Sequence, residues 1–151
     1  MDTQVATPQI AFLSSRICLQ TTGPRHFFDL TDELQARVAS SGVQSGLAVV
    51  TSLHTTASLL INEHEPELLK DLDDFLSRLA PEETGYLHNA VPVGPGEQPN
   101  GHAHCQALLL QASVTLPIIA GRVSIGRYQR IFLVELDCSR PREVVVSLLG
   151  A

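Results

Sequence analysis

The stretch that most narrows the choice of folds lies between Glu65 and Pro81. Leu68, Leu69, Leu72, Phe75, Leu76 and Leu79 recur there at the 3.6-residue period of a helix. Glu65 stands at the N-cap position, Pro66 takes the first helical place where its missing N–H costs nothing, and Pro81 ends the run. A helix with such a stripe has to bury it against another layer. The remainder of the chain supplies strands for that layer. Residues 9–21 alternate apolar and polar and stop at Thr22-Gly23-Pro24, and 46–52 are rich in β-formers. The extended pattern resumes at 59–62 after a polar bend, returns at 113–119 with a break at Pro117, and recurs at 122–125, 131–137 and 143–148. Two shorter helices are predicted. One starts at Thr31 as N-cap, carries Leu34 and Val38, and stops at Ser41-Gly42; the other covers 102–111. Residues 81–101, with four prolines and four glycines, form a loop with a brief strand at 91–93. One domain over 1–151 is expected, mixing helices with an antiparallel sheet beside the long helix.

The charge balance excludes whole classes of partner. A net charge of −6 and a pI near 5.4 leave no field for holding nucleic acid or an anionic bilayer. Half of the ten basic residues, Arg122, Arg127, Arg130, Arg140 and Arg142, nevertheless fall in the last thirty positions. They form either a local anion site or a solvated face balanced by Glu135, Asp137 and Glu143. Cys18, Cys105 and Cys138 are odd in number and widely spaced, which fits reduced thiols rather than a disulfide framework or a zinc ribbon. The opening MDTQVATPQIAF does not fit a secretory signal, and no run approaches the ~18 apolar residues that span a bilayer. A cytoplasmic protein is expected.

The histidines mark the candidate chemistry. His54 precedes Thr55-Thr56, His88 lies in the long loop, and His102 and His104 bracket Ala103. Rigid elements end at such places, and side chains presented there reach ligands. His54, His88 and His104, with Glu63 or an open water position, would satisfy zinc if they converged. Asn62 beside Glu63, and Asn100 in the loop, could orient a ligand or the imidazoles. Ser58 and Ser113 lack a nucleophile elbow, and neither a Walker A sequence nor a G-x-G-x-x-G fingerprint occurs.

Taken in order, HTTASLLINEHEPELLKDL, YLH, NGHAH and SVTLPIIAGRVSIGRYQRIFLVELD resemble the YjbQ family, whose members include a secondary thiamine-phosphate synthase. The resemblance runs from about Ile10 to Val146. It carries the family's His-Thr-Thr motif onto His54, Thr55 and Thr56, its Asn-Glu pair onto Asn62 and Glu63, and a helix acid onto Asp71. It carries further site positions onto His88, Asn100, Ala103 and His104, and terminal carboxylates onto Glu135 and Asp137. Ser113, Gly121, Gly126 and Gln129 match the closing signature. The family often has Gly-Thr-Trp-Gln where Gly126-Arg127-Tyr128-Gln129 stands, and Asn-Glu-Asn where Asn62-Glu63-His64 stands. His64 is then either an added ligand or a replaced amide at a helix entrance.

The resemblance implies an α+β fold, an antiparallel β-sandwich with two to three helices packed outside the sheets, assembled as a homotrimer. The activity it implies joins a pyrimidine diphosphate to a thiazole phosphate and releases pyrophosphate, with Mg²⁺. Arg127 and Arg130 would hold phosphate oxygens, Thr55, Thr56, Asn62, Asn100, Ser113 and Gln129 would contact substrate, and the histidines with Glu63 would move protons. Two other readings stand beside it. In one, a metal-dependent hydrolase holds Zn²⁺ on His54, His88 and His104. In the other, a non-catalytic trimeric binding protein uses its histidines to fill a subunit junction.

Overall fold

The computed structural model describes residues 9–151. The elements follow as β1 (Ala11–Gln20), β2 (Phe27–Asp29), α1 (Thr31–Ser41), β3 (Ser45–Ser52), β4 (Ala57–Glu63) and α2 (Pro66–Leu79). After a 3-10 turn at Leu87–Ala90 come α3 (Gly101–Ala107), β5 (Ser113–Ile119), β6 (Arg122–Val123), β7 (Gln129–Glu135) and β8 (Pro141–Gly150). Every pairing is antiparallel, in a five-stranded sheet of order β1-β8-β3-β5-β6 and a three-stranded sheet of order β2-β7-β4.

The two sheets face each other across one apolar layer, and β7 shows why the run IFLVEL is continuous rather than alternating. Its Ile131 and Leu133 enter the core between the sheets, where Val50, Leu116 and Val146 meet them. Phe132 and Val134 point the other way, with Leu136 beyond the strand, into a second core under α2 and α3 that Leu76 and Ala103 complete. A strand covered on both faces needs apolar residues at every position. α1 sends Leu34 and Val38 into the core between the sheets, while α2 and α3 form an outer layer. The architecture is therefore the expected α+β sandwich with helices outside. Phe132 is fully buried, and Phe132→Ala would cost about 3–5 kcal/mol. Where β3 and β8 meet, an added Cβ on Gly46 would lie 2.1 Å from the Leu149 carbonyl oxygen, so only glycine lets these backbones approach.

Local chemistry explains agreements and departures alike. Both carboxylate oxygens of Glu65 accept from backbone N–H groups, of Glu67 at 3.0 Å and of Leu68 at 2.7 Å, so the expected acid cap exists. Thr31 is not the cap of α1. Its hydroxyl accepts instead from the Ile131 N–H at 2.8 Å and ties the helix to β7, while Asp29 takes the Thr31 N–H at 2.9 Å. β2 is a short strand that periodicity does not reveal, and 91–93 form none. Nor does Pro117 break β5. A strand residue points its N–H and C=O to the same side. The Pro117 carbonyl accepts from Ser124 at 2.8 Å, so its missing N–H faces away from β3 and the β3 ladder runs on through Leu47. No helix among the described residues is long and apolar enough to cross a membrane.

Candidate functional site

β4 and β7 run side by side, with Ala57 opposite Glu135 at one end and Glu63 opposite Gln129 at the other. Both ends carry residues that the sequence singles out. Six residues of strand separate them, roughly 20 Å.

At the first end the chain leaves β3 at Ser52, which pairs with Val144, while β8 continues back to Pro141. The Leu53 N–H still reaches the Glu143 carbonyl at 3.3 Å. The Glu143 N–H, on the same side, finds no carbonyl there and donates to His54 Nε2 at 2.7 Å. Beside it lies a buried ion pair. Arg142 donates through Nε to Glu135 Oε2 at 2.6 Å, through Nη2 to Glu135 Oε1, and again through Nη2 to the Thr56 hydroxyl at 3.1 Å. Glu135 also accepts from the Thr21 hydroxyl at 2.8 Å and from the Asp137 N–H at 3.0 Å. A pair so deeply buried persists because its hydrogen bonds replace those lost from water.

Asp137 extends the network outward. It accepts from Arg140 Nη2 at 2.7 Å and from the Asn100 amide at 2.9 Å, just where α3 begins. One turn along α3 stands His104, and the 3-10 turn brings His88 against it, edge to face with ring centroids 4.8 Å apart. The turn is held there by Asn89, which accepts from the Gly101 N–H at 2.9 Å. It is also held by close packing, since a Cβ on Gly101 would lie 2.5 Å from Tyr86 Cβ.

The result is an open pocket of about 410 Å³ that His54, Thr55, Thr56, His88, Asn100 and His104 line together with Arg140 and Arg142. Leu53, Val91, Pro92, Val93 and Pro99 give it an apolar wall, with Glu97 and Gln98 beside them. Burial first, and then the Arg142 charge, hold His54 below the ordinary histidine value, outweighing Glu135 and Glu143. Burial likewise lowers His104, helped by His88 and His102 against the pull of Asp137. Both rings are thus predominantly neutral at pH 7.

A metal ion needs free lone pairs. The Glu143 N–H occupies that of His54 Nε2, and arginines hold the carboxylates of Glu135 and Asp137. Among the described residues no group of three His, Cys, Asp or Glu side chains is placed to hold a metal ion. Among the described residues, the Zn²⁺ site expected on His54, His88 and His104 therefore has no matching donor set.

The second end is an open cluster. Arg130 donates to Asp29 at 2.7 Å and lies 3.1 Å from Asp32, and His64 Nδ1 is 3.1 Å from the same Asp29 oxygen. Burial opposes ionisation of Asp29, but hydrogen bonds from Thr31 and Arg130 keep its pKa below the usual carboxylate value. Asn62 accepts from the Glu63 N–H at 2.9 Å, and Gln129 closes its turn on the Gly126 N–H at 2.7 Å. Arg127 sits over Tyr128, 5.3 Å from the ring centre. Ser113 lies elsewhere again, in the five-stranded sheet, bonded to the Thr51 hydroxyl at 2.8 Å and the Val50 carbonyl at 3.1 Å. Asn62, Glu63, Ser113, Arg127, Gln129 and Arg130 are thus not among the residues lining the histidine pocket. Arg140, Arg142, Glu97 and Thr21 belong to that end and were not singled out as site residues. The crowding of arginines into the last thirty positions was the one signal pointing at two of them.

A family model described as UPF0047 protein YjbQ-like matches residues 15–151. The chain belongs to the YjbQ family. A UPF0047 protein of Methanothermobacter thermautotrophicus is 36% identical over 132 residues, 87% of this chain and 88% of that relative. The YjbQ protein of Salmonella typhimurium is 31% identical over 130 residues, 84% of this chain and 91% of its own length. Among solved structures, a YjbQ-like protein of unknown function from Sulfolobus solfataricus superposes with a TM-score of 0.87 at 30% identity, covering 95% of this chain and 100% of that one. A YjbQ-family protein from Clostridium acetobutylicum gives 0.79 at 32% identity, with 89% and 98% covered.

Proposed function

We propose that the pocket at the first end of the β4–β7 pair binds a small phosphorylated molecule and that the reaction is of the thiamine-phosphate synthase type. The observation that carries this is convergence. His54, Thr55, Thr56, His88, Asn100 and His104 come from three separate segments and line one pocket of about 410 Å³, the size range of small-molecule sites. In the reaction, the thiazole nitrogen supplies the electron pair for the new bond to the pyrimidine's methylene carbon. The carbon–oxygen bond there breaks, and its pair leaves with pyrophosphate. The protein's part is to align two flat rings and stabilise charge on the departing oxygens. The apolar wall of Leu53, Val91 and Val93 suits a ring, while imidazole N–H groups, threonine hydroxyls and the Asn100 amide suit phosphate oxygens. His88 and His104, in contact with each other, are the pair that would pass a proton to the leaving group.

The assembly proposed with it is a homotrimer. Phe12, Leu149 and Leu47 stand in one register row across β1, β8 and β3, each more than two-fifths exposed, and such a row favours self-association. Mass in solution tests the assembly. For the activity, purified protein is given both phosphorylated precursors with Mg²⁺, alongside His88→Ala and His104→Ala. Product formed by the wild type and lost in the variants is expected; no turnover above a metal-only blank would sink the proposal.

A further inference from the structure

We infer that His54 serves the pocket as a fixed hydrogen-bond donor, presenting Nδ1–H to a phosphate oxygen of the bound molecule, and that the backbone of Glu143 fixes it in that state. The phosphate as recipient rests on the proposed function. The tautomer stands without it.

The cause lies in how the five-stranded sheet ends. β8 outruns β3 by several residues, so the Glu143 N–H points at the place where β3 has already turned away. A strand N–H left there would be an orphan donor, and the His54 ring fills the gap, with Nε2 at 2.7 Å. Only an unprotonated nitrogen can accept that bond. A neutral imidazole carries a single proton, so it sits on Nδ1. The other tautomer, or an imidazolium, would set two N–H groups head on. Among the described residues Nδ1 has no partner; it is not one of the buried atoms sealed without one, and it belongs to a side chain that lines the pocket. The charged groups facing the ring are Arg142, Glu135 and Glu143.

A donor held this way acts without reorganising, which is what stabilising a departing oxyanion requires. It also divides the histidines by role. His54 cannot accept a proton at Nε2 without abandoning Glu143, so proton transfer falls to His88 and His104, whose rings have no backbone donor holding them among the described residues.

Histidine-selective ¹⁵N spectra of the full chain at neutral pH report the tautomer, with the His54 signals assigned by their loss in His54→Asn. Titration calorimetry with inorganic pyrophosphate on wild type, His54→Asn and His54→Phe reports the donor. Expected are a protonated Nδ1 with an acceptor Nε2, and a fall in pyrophosphate affinity of about ten- to hundredfold in His54→Phe. His54→Asn, whose amide keeps an N–H, should recover most of it. A proton on Nε2 overturns the inference whatever the ligand. Equal affinity in wild type and His54→Phe, with a folded spectrum for both, overturns the donor role and leaves the proposed function standing. No pyrophosphate binding by the wild type overturns the proposed function together with the phosphate as recipient, and the tautomer is then decided by the spectrum.

Discussion

At one end of the β4–β7 pair an arginine and a glutamate lie 5% and 0% exposed, bonded to the Asp137 backbone N–H and two threonine hydroxyls as well as to each other. At the other end an arginine and an aspartate, 33% and 16% exposed, meet where water also reaches them. The residue types are nearly the same and the bonds are of similar length. What differs is the alternative open to each group when its partner is removed. In the open cluster a water molecule takes the partner's place, so the pair adds little. In the buried network nothing can, so each member becomes a fixed support for the next, from Thr21 through Glu135 and Arg142 to Thr56 at the pocket.

The strongest way to break this contrast is Arg142→Met, which leaves Glu135 buried without its cation. A loss of about 3–5 kcal/mol is expected, lowering the thermal midpoint by roughly 10 °C in a chain of this size. The double variant Glu135→Leu with Arg142→Met should cost less than either change alone, because no buried charge is left unpaired. A double variant as unstable as the sum of the singles would refute that account. His104→Ala should lower turnover by about 10²–10⁴-fold while moving the melting point little, since the ring is half-buried at a pocket wall.

Acid should separate the two ends. His54 and His104 titrate below their ordinary value when folded, so the unfolded chain takes up protons first. Their neutral-state stability is whole above about pH 6.5 and drains away as pH falls below it. Asp29, also lowered, contributes above the ordinary carboxylate range and loses that contribution only at stronger acid. Denaturant midpoints measured down the pH scale should therefore fall in two stages. His104→Ala should flatten the first, and an unchanged slope in that variant would contradict the assignment. The smallest effect belongs to Arg130→Ala, about 1 kcal/mol or less by the same measurement, fading as salt is added.

The strands and α2 were legible because they are written in local pattern, whereas their stacking as a sandwich came from the family resemblance. Glu65, Pro66 and the leucine stripe specify α2 from local sequence alone, and IFLVEL reports a strand, while the covering of both its faces emerges only from the packing of the two cores. β2 was not legible, because three half-buried residues carry no period, and the cap of α1 was assigned to Thr31 because a hydroxyl cannot be told from its neighbour Asp29 without knowing where β7 lies. The site was half legible. Residue types and motif order bring His54, His88 and His104 to attention, but whether chemistry-bearing residues share one end of a strand pair depends on register. Register is what parts Asn62 and Glu63 from Thr55 and Thr56, although only a few residues of chain lie between them.

The position of β8 also governs how the molecule is made. β8, made after the other described strands, is the one that lies between β1 and β3, so β1 waits for about 120 residues of chain before its ladder partner exists. At about 5–20 residues per second that is on the order of ten seconds with an unpaired edge. Ser14, Ser15 and Arg16 interrupt the apolar run of β1 through that interval and make the waiting strand a poor template for aggregation.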